Sequence, residues 1–101
     1  GGFEAPDRVR LLKEVQEFVR GMDEQKKLVA AICHGPWIMI SSGICKGRKM
    51  TAFWSIEADL KNAGADYQHK APLVIDRNFI TSPHYNNNSD FMRAVVSYLN
   101  K

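Results

Sequence analysis

The chain has 101 residues, 45% of them apolar and 25% charged, with a formal net charge of +3, which suits one small globular domain. No apolar run approaches the roughly 18 residues that a membrane-spanning helix needs, and no signal peptide is visible. No aromatic or basic platform of the kind that binds nucleic acid is present. We therefore expect a single domain over residues 1–101, without a membrane or nucleic-acid partner.

The two cysteines, Cys33 and Cys45, lack the spacing of a zinc site or a dithiol motif. The sequence does not exclude a disulfide between them. Without an export signal, however, the pattern favours reduced thiols in a cytoplasmic protein. We assign Cys45 a structural role, because it stands beside a polar turn with no base nearby. The chain starts at Gly1-Gly2 without a methionine, and we expect it to be part of a longer chain.

Helices and strands are predicted to alternate along the chain. The predicted order is a helix over 6–21, a strand over 27–33, a helix over 36–42, a strand over 50–53, a helix capped by Ser55, hairpin strands over 73–75 and 79–81, and a last helix capped by Ser89. Gly21, Gly43 and Gly64 are expected to end the first three helices. This alternation predicts an α/β fold with a mostly parallel sheet, whose site lies at the carboxyl ends of the strands.

The stretch LVAAICHGP, residues 28–36, places Cys33 where an apolar strand stops and a helix begins. Such a turn pushes its central residue out of the sheet, Gly35 gives room for close backbone approach, and Pro36 suits a first helical turn. A helix N-terminus favours a thiolate, and the neighbouring His34 could exchange a proton and offer its amide to an oxyanion. The alternative is a buried cysteine that fills the strand end.

The segment AAICHGPWIMISSGICKGRKMTAFWSIEADLKNAGADY resembles the PfpI-type intracellular proteases. Their superfamily includes the parkinsonism-associated deglycase and the class I glutamine amidotransferase-like domains. The shared pattern is AICHGP, a GRK turn, a threonine followed by an aromatic, and NAGA followed by an acid. The opening GGFEAPDRVR is similar to the family's GG-x-APERVR segment, and ITSPHYNNNSDFMRAVVSYL resembles its ITSR-loop-FMR ending.

The resemblance implies a flavodoxin-like three-layer sandwich, here incomplete at the N-terminus, and it implies no cofactor. It makes Cys33 the elbow nucleophile and His34 its partner, with the amides of Gly2 and His34 as oxyanion donors. Asp7, at the position of a family glutamate, would complete the site from a neighbouring subunit of a homo-oligomer, a dimer or a hexamer. The position of Asp7 is equally typical of an acid that complements the dipole at a helix start.

Three departures from the family pattern stand out. The family domain is longer at its N-terminus, where it carries a glutamate that hydrogen-bonds the nucleophile thiol. Phe53 stands where members often carry tyrosine or histidine, and the segment before Asp7 is one residue longer than usual. His84 lacks the His-Pro-Glu context of the amidotransferase triad, so we expect a loop residue near the site mouth and disfavour glutamine hydrolysis.

Two functions of different classes follow from the resemblance. The first is a cysteine hydrolase that acts on small carbonyl compounds or on peptides, as a deglycase, a glyoxalase-like enzyme or a peptidase. The second is a non-catalytic redox sensor or stress chaperone that uses the same oxidisable cysteine. His34 favours the enzyme, whereas Phe53 and the shortened acid at Asp7 favour the sensor.

Overall fold

The structure is a computed structural model that describes residues 2–101. The elements in chain order are α1 Glu4–Val9, α2 Lys13–Glu24, β1 Val29–Ile32, α3 Pro36–Ser41, β2 Lys49–Met50, a 3-10 helix Trp54–Ile56, α4 Glu57–Asn62, β3 Asp66–Tyr67, β4 Val74–Asp76, β5 Phe79–Ser82, a second 3-10 helix Tyr85–Asn87, and α5 Asn88–Leu99. The predicted alternation of helices and strands is confirmed. No helix within residues 2–101 is long and apolar enough to cross a membrane.

The predicted single helix over 6–21 is wrong, because the chain forms two helices there. Leu12 is extended, with ψ of 116°, and separates α1 from α2. The Gln16 side chain donates to the Arg10 carbonyl at 2.7 Å and stabilises this break. Helix α2 then runs past Gly21, since one glycine costs a helix only about 1 kcal/mol. It ends at Glu24, shortly before Lys26, whose φ is +58°.

The strands form two small sheets in which parallel pairing prevails. β1 pairs in parallel with β5, β5 pairs antiparallel with β4, and β2 pairs in parallel with β3. The predicted hairpin is confirmed, and Arg77 in its turn has φ of +56°. The two-residue strand β3 was not predicted, because Asp66–Tyr67 is too short to show a period.

The predicted strand over 50–53 shrinks to Lys49–Met50 because the next backbone groups bond elsewhere. The Thr51 N–H donates to the hydroxyl of Thr81 at 3.0 Å. The Phe53 N–H donates to the carbonyl of Cys33 at 2.9 Å. This part of the chain therefore attaches to β5 and to the turn after β1 instead of extending a ladder.

The expected side-chain caps of the later helices are also wrong. Ile56 is the N-cap of α4 and Asn87 is the N-cap of α5, and neither makes a side-chain capping bond. Ser55 lies in a 3-10 helix, and Ser89 lies inside the first turn of α5. The expected helix ends at Gly43 and Gly64 are confirmed, with φ of +75° and +89° that glycine adopts without strain.

A compact apolar core lies between the sheets and the helices, and the buried Arg48 guanidinium packs against it. The core consists of Met39, Cys45, Met50, Ala52, Ile56, Leu60 and Phe79. The Arg48 guanidinium donates to Asp23 at 3.1 Å and to Asn78 at 2.6 Å, and it lies 3.4 Å from the centre of the Phe79 ring. A buried charge must be paired, so this cluster joins α2, the start of β2 and the hairpin.

Candidate active site

Cys33 occupies a left-handed backbone conformation between β1 and α3. Its φ is +61°, which costs a residue with a side chain roughly 1–2 kcal/mol. Two hydrogen bonds hold it there: its N–H donates to the Ser82 carbonyl, and its carbonyl accepts from the Phe53 N–H, both at 2.9 Å. Strain that is held by surrounding structure is typical of functional turns. The predicted elbow is therefore present, and the half-buried Cys33 stands at its bend.

Gly35 permits the close backbone contacts of the elbow because it has no Cβ atom. Its N–H donates to the Ile32 carbonyl at 2.9 Å. A Cβ atom at Gly35 would lie 3.0 Å from the Ile32 carbonyl oxygen and 3.2 Å from the Ala31 Cβ. The predicted close backbone approach is confirmed, as is Pro36 in the first turn of α3.

The His34 imidazole lies between the thiol and a hydroxyl. The distance from Nδ1 to the Cys33 Sγ is 3.3 Å, and the distance from Nε2 to the Ser55 Oγ is 3.2 Å. The ring stacks on Phe53 with 5.2 Å between ring centroids. Desolvation lowers the pKa of His34 from its ordinary value. The neutral imidazole is thus favoured, which is the form that can accept a proton from the thiol.

The amide of His34 differs from its neighbours in having no partner among residues 2–101. The N–H groups on either side, of Cys33 and Gly35, are both paired with backbone carbonyls. Within residues 2–101, the His34 N–H has no acceptor at hydrogen-bonding distance. A free amide beside a nucleophile is the arrangement that stabilises an oxyanion.

Gly2 lines the same cavity as Cys33. This cavity has a volume of about 430 Å³, and apolar side chains of α1, α2, β1 and α3 form most of its wall. Gly2 has φ of +66°, in agreement with a turn that needs glycine. The structure brings Gly2 and Cys33 to one cavity, and the role of the Gly2 amide stays a prediction.

Asp7 is exposed on α1 and is absent from the lining of that cavity, although Ala5, Pro6 and Val9 belong to it. Within residues 2–101, its carboxylate makes no hydrogen bond or ion pair. The described residues therefore leave Asp7 outside the cluster of Cys33 and His34. Its predicted role across a subunit interface stays untested.

Cys45 has the structural position that the sequence indicated. Its side chain is 2% exposed inside the core, and burial raises the pKa of its thiol to about 12. Both cysteines are free thiols.

Residues 2–101 contain no group of three or more His, Cys, Asp or Glu side chains that could hold a metal ion.

His84 lies in the loop after β5 and caps the second 3-10 helix. Its Nδ1 accepts from the Asn86 N–H at 3.1 Å. Its ring is 3.9 Å from the Tyr85 ring and 6.1 Å from the Phe53 ring. It therefore stands one aromatic ring away from His34, in agreement with the expected position near the site mouth.

Ser55 is the site residue that sequence reasoning missed. It stands 21 positions after His34, and local pattern favoured a helix cap instead. Only the fold brings its hydroxyl to the imidazole. No spacing rule in the sequence could have identified it.

Fold and site together define a class of protein: an α/β domain that carries a cysteine with positive φ at a sharp strand-to-helix turn. Residues 1–98 match the family model of the DJ-1/PfpI family, and the chain belongs to that family. The predicted flavodoxin-like α/β fold is thereby confirmed.

The alignments with two named relatives cover nearly all of this chain. It is 42% identical over 98 residues to Deglycase PfpI of Pyrococcus furiosus, covering 97% of this chain and 58% of that protein. It is 37% identical over 101 residues to General stress protein 18 of Bacillus subtilis, covering 100% of this chain and 58% of that protein. The chain thus spans about 58% of the length of these two relatives.

A solved structure matches the fold closely. A two-domain protein of Anabaena variabilis, which contains DJ-1/ThiJ/PfpI-like and ferritin-like domains, superimposes with a TM-score of 0.91 at 41% identity. The match covers 94% of this chain and 28% of that one.

Proposed function

We propose that the protein is a cysteine-dependent hydrolase of the PfpI type, which acts on small carbonyl compounds or peptides through Cys33. The observation that carries the proposal is the strained elbow, at which the Cys33 Sγ lies 3.3 Å from Nδ1 of His34. A nucleophile within reach of its base is the signature of covalent catalysis. The relative named a deglycase supports an enzyme of this kind.

In the proposed first step, the Cys33 thiol gives its proton to Nδ1 of His34. The sulfur forms a bond to the carbonyl carbon of the substrate, and the π electrons of the carbonyl move to its oxygen. The amides of His34 and Gly2 donate hydrogen bonds to the resulting oxyanion. His34 then returns the proton, either to that oxygen or to a leaving amine.

This first step is common to both substrate classes. With a dicarbonyl compound the addition gives a hemithioacetal, and transfer of the proton on its sulfur-bearing carbon to the neighbouring carbonyl carbon gives a thioester. With a peptide, the departure of the amine leaves a thioester directly. Water cleaves either thioester and frees the Cys33 thiol. We propose that Asp7 assists from a neighbouring subunit of a homo-oligomer, a dimer or a hexamer, in the cytoplasm. The exposed Asp7 carboxylate, unpaired within residues 2–101, supports this role.

The proposal is tested by turnover of methylglyoxal and of a fluorogenic peptide by the full-length protein. Cys33→Ala should abolish turnover of the accepted substrate, because Cys45, the other thiol of residues 2–101, is buried in the core. Cys45→Ala is the matched control, since it removes a buried thiol remote from His34, and it should keep turnover. Activity that survives Cys33→Ala would overturn the proposal.

A redox function is the second candidate, and the half-exposed Cys33 thiol beside an imidazole supports it. Phe53 supplies no polar group to the site, and one relative is named a general stress protein. Peroxide would oxidise the Cys33 thiolate to a sulfenate while one peroxide molecule is reduced to water. Stoichiometric oxidation of Cys33 without turnover of any carbonyl or peptide would favour this candidate.

A further inference from the structure

We propose that Ser55 is a positioning residue for His34, which fixes the imidazole so that its Nδ1 faces the Cys33 thiol. This inference rests on the proposed function, in which His34 is the acid and base. The Ser55 Oγ lies 3.2 Å from Nε2, while the Cys33 Sγ lies 3.3 Å from Nδ1. Thiol, imidazole and hydroxyl therefore form one chain of hydrogen bonds.

One tautomer of the neutral ring satisfies both contacts and leaves His34 able to act as a base toward the thiol. When the Cys33 thiol donates to Nδ1, that nitrogen carries no proton, so Nε2 must carry it. The Nε2–H group then donates to the Ser55 oxygen. By accepting from Nε2–H, the Ser55 hydroxyl stabilises this tautomer and keeps Nδ1 directed at the thiol.

Ser55 also stabilises the charged form of the ring during the reaction. After the thiol proton has moved to Nδ1, both nitrogens of His34 carry protons, and Ser55 accepts from Nε2–H while keeping its own hydroxyl proton. Because desolvation lowers the pKa of His34, an acceptor at Nε2 matters more here than in open water.

No charged group on the packed elements substitutes for Ser55. Three aromatic rings, of Phe3, Trp37 and Phe53, surround the imidazole. The charged Arg10 and Asp59 contact Trp37 rather than His34. In the part of the chain that the structure describes, the hydrogen bonds of the ring are those with the Cys33 thiol at Nδ1 and with the Ser55 hydroxyl at Nε2.

The backbone holds Ser55 in place relative to the elbow. The Phe53 N–H donates to the Cys33 carbonyl at 2.9 Å, and the Ile56 N–H donates to the Phe53 carbonyl at 3.0 Å. Ser55 lies in this short 3-10 turn. The backbone of Ser55 is therefore tied to the same segment that bonds the Cys33 carbonyl.

The test compares full-length wild type with Ser55→Ala, Ser55→Thr and Ser89→Ala. The rate of Cys33 alkylation by iodoacetamide is followed against pH by peptide mass spectrometry, and the tautomer of His34 is followed by ¹⁵N NMR. Ser89 is the matched control, because it is an exposed serine on α5. Thermal melts establish that each variant is folded.

We expect Ser55→Ala to slow alkylation at neutral pH by about threefold to tenfold, the worth of one hydrogen bond, and to move the pH midpoint upward. Ser55→Thr keeps a hydroxyl and should restore the wild-type profile, while Ser89→Ala should leave it unchanged. The ¹⁵N signal of His34 Nε2 should change with the loss of this hydrogen bond in Ser55→Ala, and it should stay at its wild-type position in Ser55→Thr and Ser89→Ala.

The outcomes separate this inference from the proposed function. A wild-type midpoint well below the free-thiol value of about 8.5, with an identical profile for Ser55→Ala, would overturn the role of Ser55 and leave the function standing. A wild-type midpoint near 8.5 would overturn the function. In that case the ¹⁵N signal of His34 decides whether Ser55 positions the ring. An unchanged signal in Ser55→Ala would overturn the positioning role.

Discussion

The backbone N–H of Phe53 donates to the carbonyl oxygen of Cys33 at 2.9 Å, which ties the elbow to the segment after β2. The Phe53 ring also stacks on His34, 5.2 Å between centroids and 26° from coplanar. Phe53 thus supports the site through packing and backbone bonding, although it lacks the polar group that the family resemblance led us to look for. Together with the bond from Cys33 to Ser82, it explains how Cys33 keeps its strained conformation.

The backbone strain at Cys33 predicts an unusual order of stabilities. Cys33→Gly should be more stable than Cys33→Ala by about 1 kcal/mol, because glycine adopts a positive φ without the steric cost of a Cβ. Urea unfolding of the full-length variants measures the difference. At the exposed helical Ala58, replacement by glycine should instead destabilise the protein. A Cys33→Ala variant as stable as Cys33→Gly would mean that the elbow is unstrained.

The close contacts of Gly35 predict that even one methyl group disturbs the elbow. Gly35→Ala should destabilise the protein by about 1–3 kcal/mol, since its Cβ would meet backbone atoms of Ile32. Gly21→Ala is the matched control: nothing lies within 4 Å of its Cβ position inside α2. It should stabilise the protein by about 0.5–1 kcal/mol. Equal effects of the two substitutions in chemical denaturation would contradict the packing described for the elbow.

The difference in burial between the two cysteines predicts selective labelling. Cys45 is 2% exposed, and burial raises the pKa of its thiol to about 12, so it should resist iodoacetamide in the folded protein. Peptide mass spectrometry after limited labelling should find the adduct on Cys33. Unfolding in urea should expose both thiols equally. Comparable labelling of Cys45 before unfolding would show that the core opens readily.

The desolvated His34 predicts a loss of stability in acid. Its pKa is lowered in the folded state, so below the ordinary value of about 6.5 the unfolded chain binds a proton more readily than the folded one. The resulting destabilisation is absent above that value, grows as the pH falls toward the lowered pKa, and is constant below it. Between about pH 7 and pH 5, the urea midpoint of wild type should fall further than that of His34→Asn. Parallel curves for the two proteins would contradict a desolvated imidazole.

Sequence pattern was most informative where the chain is locally determined. The run into Cys33, the glycine at 35 and the proline at 36 predicted the elbow, because strand, turn and helix signals meet within a few residues. The hairpin around Arg77 was predicted for the same reason. The prediction of one helix over 6–21 was wrong, since apolar spacing continues across the break at Leu12. There the Gln16 side chain donates to the Arg10 carbonyl, six positions earlier in the chain.

The sequence by itself determined the class of fold and singled out Cys33 and His34, the candidate nucleophile and its proposed base, which are adjacent along the chain. Only the tertiary structure decided what surrounds them. Ser55 reaches His34 across 21 positions, and Phe53 reaches the Cys33 carbonyl across 20, so their contacts depend on how the segment after β2 packs against the elbow. A helix cap and a strand were the better local predictions for these residues. Both local predictions were wrong because these groups bond elsewhere. The Ser55 hydroxyl contacts His34, the Phe53 N–H donates to Cys33, and the Phe53 ring packs on His34.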